Sequence, residues 1–228
     1  AYFKVPEEKI RVIYNGVDQS QFHPGLRTQY NKEIRKNLQI PEKAVVILFI
    51  ARNFKRKGLH YLIQSLPLIR GEKEPLTVLV VGRGNPFPFR RIARQIGLSN
   101  QLVFMEETDN IFPYYGAGDI VVLPTSYDPF SNVCLEALAC GIPVITTKEN
   151  GASEIIRPGE TGVVISAPHN CVELAESISR FLPYEARESV REKAPQSVQN
   201  LTIEENTFKT LEAFKQAQEM KKDKCSSQ

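Results

Sequence analysis

The stretch Pro124–Gly141, P-T-S-Y-D-P-F-S-N-V-C-L-E-A-L-A-C-G, holds two carboxylates eight residues apart, Asp128 and Glu136. Asn132–Cys140 reads as a helix stopped by Gly141, with Phe130 and Ser131 at its opening. Asp128 therefore belongs to the preceding loop and Glu136 to the first turns, both at one end of the element. An ionised carboxylate accepts hydrogen bonds from two adjacent hydroxyls, which suits the diol of a ribose or a hexose. The amides of Ser131, Asn132 and Val133, at the positive end of the helix, suit a phosphate. The plainer alternative makes Asp128 a helix cap and Glu136 an exposed surface residue. Against it, Glu136 is flanked by Leu135, Ala137, Leu138 and Ala139, a setting in which a carboxylate needs a specific partner.

A second cluster is A-R-N-F-K-R-K-G at 51–58, with Arg52, Lys55, Arg56 and Lys57 in one loop. Arginine brings a bidentate fork and lysine a point charge, a combination that fits a diphosphate; the alternative is a solvated basic loop. Gly82-Arg83-Gly84 lets another backbone approach closely. It is not a dinucleotide fingerprint, because Phe87 stands where the third glycine belongs and Leu102 where the acid belongs. His23, His60 and His169 fall outside these loops and read as surface or packing residues.

These loops must be held by an alternation of strands and helices. Val45–Ala51 and Leu76–Val81 are continuous apolar runs, the pattern of strands buried on both faces. Leu102–Met105, Ile120–Leu123, Val144–Thr146 and Val163–Ile165 read as further strands, and Arg11–Asn15 as a short opening strand. Helices are expected at Gln29–Leu38, Gly58–Ile69, Phe89–Ile96, Ile111–Tyr115, Asn132–Cys140, Val172–Leu182 and Ile203–Glu219, with Lys221–Gln228 frayed. Strand and helix alternating through short connections imply a Rossmann-like α/β fold, a parallel sheet with helices on both faces. Ligands bind such sheets at the carboxyl ends of the strands, where both clusters lie.

Composition agrees with an ordinary globular chain: 228 residues, 42% hydrophobic and 24% charged. The longest apolar runs are far short of the ~20 residues that cross a membrane. A net charge of +3, from 29 basic and 26 acidic residues, is too mild to indicate nucleic acid. Cys134, Cys140, Cys171 and Cys225 form no C-x-x-C pair, which points to reduced, packing cysteines of a cytosolic protein and to no zinc site.

In this order the segments resemble a known family. N-G-V-D plus Phe22 (15–22), A-R-N-F-K-R-K-G (51–58), V-V-G-R-G (80–84), Y-x3-D-I-V-V-L-P-T-S (115–126), D-x7-E-A-L-A-C-G-I-P-V-I (128–145) and N-G-A-S-E-I-I-x-x-G-E-T-G (150–162) are together similar to the C-terminal, donor-binding half of a retaining GT-B glycosyltransferase of family 4. Within that family the chain looks most like the bacterial lipopolysaccharide core glucosyltransferases.

The resemblance implies a UDP-sugar donor without a cofactor or metal. Arg52 and Lys57 would hold the diphosphate, Glu136 the ribose hydroxyls, and Glu107 would flank the base. Gly82 would border the donor, and Phe130, Ser131, Asn132 and Val133 would meet phosphate and sugar. Asp128, in place of the first Glu of E-x7-E, would contact the donor hexose and is the catalytic candidate. The resemblance makes 1–228 one donor-binding domain, with 1–25 an interdomain linker and opening strand, 203–228 a C-terminal helix and tail, and an acceptor domain missing before residue 1. It implies a cytoplasmic protein, with peripheral contact to an inner membrane or a lipid-linked acceptor suggested by Lys55–Lys57, Arg90, Arg91 and Arg94. Two departures, Asp128 for Glu and Ser131 for Gly, keep a second reading open: a degenerate, non-catalytic binding or regulatory subunit of the same fold.

Overall fold

A computed structural model describes residues 5–70 and 74–226. Six strands form one parallel sheet in the order β3-β2-β1-β4-β5-β6. They are β1 (Val45–Ala51), β2 (Leu76–Gly82), β3 (Leu102–Met105), β4 (Ile120–Leu123), β5 (Val144–Thr147) and β6 (Gly162–Ile165). This is the doubly wound arrangement expected from the alternating pattern. Its strand order reverses between β1 and β4, the place where such sheets open a crevice. Register is continuous from Val45 opposite Leu76 to Ala51 opposite Gly82, and Ile47 faces Ile120 across the switch.

The helices are α1 (Gly25–Asn37), α2 (Leu59–Ser65), α3 (Phe87–Gln95), α4 (Phe112–Ala117), α5 (Asn132–Ala139), α6 (Cys171–Ser179), α7 (Tyr184–Ser197) and α8 (Ile203–Ser226). Right-handed crossovers put α2 and α3 on one face, where α6 joins α2, and put α4 and α5 on the other, where α1 packs on α4 and α7 on α5. The apolar runs behave as their composition requires. Val46, Ile47, Leu48 and Phe49 are fully buried, and so are Leu59, Leu62 and Ile63 on the inner side of α2. Each such side chain contributes about 1.5–3 kcal/mol. Among the described residues no helix is long and apolar enough to cross a membrane.

Four expectations are corrected. Arg11–Asn15 is not a strand: Val12 is 74% exposed, none of the five residues pairs with a strand, and the nearest ladder contact is the single bridge from Val17 to Thr202. Its β-branched residues have the right propensity but no partner strand. α2 stops at Ser65 and gives way to a tighter turn, because Pro67 has no amide to continue the ladder. α7 was not foreseen. The final helix runs to Ser226, past the expected end at Glu219; Ser227 and Gln228 lie outside the described residues.

A buried charge cluster locks the lower rim of the sheet. Asp119, just before β4, accepts from Arg27 at 2.8 Å, Arg35 at 2.6 Å and the Val46 amide at 2.8 Å, and Arg187 lies 3.8 Å away. Burial alone would raise the Asp119 pKa; Arg35 and Arg27, helped by the amide and Arg187, outweigh it and hold the carboxyl below its ordinary value. One side chain thus ties α1, α7, β1 and β4 together.

Candidate active site at the switch point

The two loops at the upper ends of β1 and β4 are stitched to each other. Gly58 adopts φ +83°, and a Cβ there would lie 2.0 Å from the Pro124 carbonyl oxygen, so only glycine lets the loops meet. The Arg56 carbonyl accepts from the Ser126 amide at 3.0 Å and the Thr125 hydroxyl at 3.2 Å. This stitching places Lys57 against Asp128. The two form an ion pair whose side chains are only 13% and 11% exposed. Asp128 does not cap α5; its carboxylate is committed across the crevice.

Ser131 is the residue ahead of α5, and its amide donates to Asn150 Oδ1 at 3.2 Å. The expected free amide at Ser131 is therefore taken. Asn132 and Val133, the first helical residues, keep amides that no acceptor among the described residues occupies. At the other end Gly141 closes a Schellman motif, with its own amide on the Leu138 carbonyl and the Ile142 amide on that of Ala137.

Asn150 is fully buried. It also accepts from the Ala152 amide and donates to Thr146 at 3.0 Å. Gly151 packs so tightly that a Cβ would sit 1.9 Å from the Pro129 carbonyl oxygen. The N-G-A motif thus fixes the loop that presents Asp128, a role sequence reasoning did not assign to it.

Glu136 is half-buried on the same helical side as Asn132 and Val133, four and three residues earlier. Its specific partner is Tyr115, which donates from its hydroxyl at 2.5 Å. Burial raises the Glu136 pKa, and the tyrosine hydrogen bond partly offsets this. Tyr115 is itself raised well above its ordinary range by burial and by the Glu136 charge. The Phe22 ring packs edge-on against Tyr115 at 5.5 Å. No hydrogen bond or ion pair among the described residues joins Glu136 to the Lys57–Asp128 pair.

The remaining expected residues fall as follows. Arg52 pairs with Glu107 at 2.5 Å across the upper ends of β1 and β3, with Arg52 85% exposed. A pair so open contributes at most about 1 kcal/mol, and both partners stay free to turn to a ligand. Gly82 serves the close approach foreseen for G-R-G: a Cβ there would lie 2.0 Å from the Ala51 carbonyl oxygen. The Phe130 ring lies 5.3 Å from that of Tyr14, and Asn15 donates to Asn132 Oδ1 at 2.8 Å. The Tyr14 hydroxyl reaches Glu154 at 2.5 Å.

His60, expected to stand apart from these loops, lies beside them instead. It lines a cleft of about 660 Å³ with Arg52, Asn53 and Lys55. Burial, and then the Lys55 charge, lower its pKa. Cys134 and Cys140 are buried, and burial pushes the Cys134 thiol up to about 12, away from the reactive thiolate form.

Lys57 from the loop after β1 thus meets Asp128 from the loop after β4 at the topological switch point, the place where open α/β sheets bind their ligands. The family model described as glycosyl transferases group 1 matches residues 31–197, and the chain belongs to that family. A relative, an uncharacterized glycosyltransferase of Methanocaldococcus jannaschii, is 30% identical over 223 residues, covering 96% of this chain and 57% of the relative. Two solved structures share the fold at 23% identity. WaaG, a glycosyltransferase involved in lipopolysaccharide biosynthesis, has a TM-score of 0.76, covering 88% of this chain and 55% of that one. Anabaena HepE, solved with UDP and glucose, has a TM-score of 0.78, covering 90% and 56%. The chain spans about half the length of the relatives it matches. The GT-B assignment and the likeness to a lipopolysaccharide core enzyme, both read from motifs, agree with these matches.

Proposed function

We propose that the chain is the nucleotide-sugar-binding domain of a retaining hexosyltransferase, with a UDP-hexose such as UDP-glucose as donor and a glycan or lipopolysaccharide-core-like acceptor. The carrying observation is Lys57 meeting Asp128 across the β1–β4 crevice. In this reading Lys57 and Arg52 turn to the diphosphate, the Asn132 and Val133 amides add donors, and Glu136 takes the ribose hydroxyls. Tyr115 orients the Glu136 carboxylate. Glu107 flanks the base, Gly82 keeps the floor of the site low, and Phe130 and Ser131 border the sugar beside Asp128.

Retention follows from attack on the face that the leaving group departs. The bond from the anomeric carbon to the diphosphate oxygen breaks, the acceptor oxygen bonds to that carbon, and its proton passes to the departing phosphate. No protein nucleophile, metal or cofactor enters this scheme. A second domain supplies the acceptor site. It would rest on the uncovered apolar residues of α8, among them Phe208, Leu211 and Phe214, and this half alone would turn nothing over. The protein would work in the cytoplasm and meet lipid-linked acceptors at the inner membrane surface.

Calorimetry with UDP, UDP-sugars and uridine tests the donor reading. Glu136→Ala removes charge-assisted hydrogen bonds of about 1.5–3 kcal/mol, roughly 10–150-fold in affinity. Lys57→Ala weakens UDP far more than uridine. Unchanged affinity in the first variant, or equal losses for both ligands in the second, refutes the assignments. The engagement of Asp128 by Lys57 also favours a second reading, a non-catalytic binding subunit. Turnover by the full-length protein, with and without Glu at 128 and Gly at 131, separates the two.

A further inference from the structure

Outside the crevice, the strongest unabsorbed feature is the surface built by α3 and the turn before it. Between Pro75 and Met105 the chain has no Asp or Glu and has four arginines, Arg83, Arg90, Arg91 and Arg94. All four are exposed. Among the described residues none of them forms an ion pair, whereas Arg27, Arg35, Arg52, Arg187 and Arg191 all do. The inner side of α3 is anchored by buried Phe89 and Ala93, so its outward orientation is fixed by packing. Arg90 lies over the Phe104 ring at 5.1 Å, its guanidinium against the edge strand β3.

Apolar side chains stand at both ends of this basic face: Phe87 is 70% exposed and Ile96 37%. Lys55 and Arg56, exposed and unpaired among the described residues, extend the charge toward the cleft that Lys55 shares with Asn85 and Pro88. Guanidinium groups suit the phosphates of lipid headgroups. An exposed phenylalanine beside them supplies an apolar side chain able to enter the headgroup–acyl boundary. The α3 face has few amides or hydroxyls with which to read nucleobases.

We propose that α3 and the Arg83–Phe87 turn form a docking face for an anionic lipid bilayer, with the arginines on headgroup phosphates and Phe87 inserted at the interface. This names the surface for the membrane part of the reading above and does not depend on the donor part. The face lies at the same upper rim of the sheet as the crevice, since the turn follows the carboxyl end of β2.

The test is sedimentation of this chain with phosphatidylcholine vesicles made with and without phosphatidylglycerol, at low and high salt. Each basic residue near such a surface changes partitioning about fivefold, so R90Q/R91Q/R94Q should lower binding to anionic vesicles by roughly a hundredfold. Added salt should do the same for the native chain, and Phe87→Ser should remove what salt leaves. Circular dichroism checks the fold of each variant, and UDP affinity in the triple variant should match the native value. No binding to anionic vesicles, equal binding to both kinds, or undiminished binding by the triple variant overturns the proposal. So does retention of polyuridylate through the same arginines in place of vesicles. A native chain that binds anionic vesicles but not UDP would instead sink the donor reading alone.

Discussion

Asp128→Asn offers a counterintuitive test, because the carboxylate that would contact the sugar also occupies the cation that would hold the diphosphate. In the free protein the Asp128–Lys57 pair is nearly neutral overall and little exposed, at 11% and 13%. A diphosphate entering the crevice is attracted by the lysine and repelled by the aspartate. Two unit charges about 6 Å apart at an effective dielectric of about 20 repel by about 2.8 kcal/mol. Partial access of water to an open crevice reduces this, and half of it, about 1.4 kcal/mol, corresponds to tenfold in affinity.

The asparagine variant should therefore bind UDP about tenfold more tightly. The same change removes a charged acceptor from the hexose hydroxyls, a loss of about 1.5–3 kcal/mol. UDP-hexose should gain nothing or weaken, and the preference for the sugar nucleotide over UDP should fall by at least tenfold. Titration calorimetry of UDP and UDP-glucose against both proteins reads the two effects separately, with urea unfolding to show that the variant is native. UDP affinity that stays the same or drops in a folded variant would refute the competition between carboxylate and diphosphate.

Asp119→Ala should leave the buried guanidinium of Arg35, with those of Arg27 and Arg187, without its counter-charge and cost about 3–5 kcal/mol in urea unfolding; a change under about 1 kcal/mol would refute the locking role. Its depressed pKa adds stability above the unfolded aspartate value of about 3.9 that is lost as pH falls through the lower folded value, so the native protein's acid unfolding should lose this contribution only below about pH 4. Gly58→Ala should destabilise by more than about 2 kcal/mol, through the left-handed backbone and the clash with Pro124, and should weaken UDP by displacing Lys57; a native melting temperature would refute it.

The sheet was legible because its central strands are written as unbroken apolar runs. Leu102–Met105 and Ile120–Leu123 were read to the residue, since Gly and polar turns bracket each one. α7 escaped because its buried side, Arg187, Val190 and Ala194, is thin and diluted by charges, and because Pro195 resembles a terminator although it sits in the last turn. Val12, Ile13 and Tyr14 have strand propensity, but a strand also needs a neighbour, which lies beyond local sequence. The loops holding Lys57, Asp128 and Glu136 could be chosen from topology alone. Their partners could not: Tyr115 on Glu136 and Asn150 under Ser131 are long-range pairings between residues 21 and 19 apart. The only local traces of them are an aromatic in the short α4 and an Asn-Gly just after β5, neither of which names a partner.

Tyr14 and Asn15 fasten the approaching polypeptide to the very turn that opens α5, one by its ring on Phe130 and the other by its amide on Asn132. Whatever shifts that turn tugs the leading segment with it, and tension on the leader is felt in the turn. Two contacts thus join residues more than 110 positions apart, and the opening turn of α5 is braced from outside its own helix.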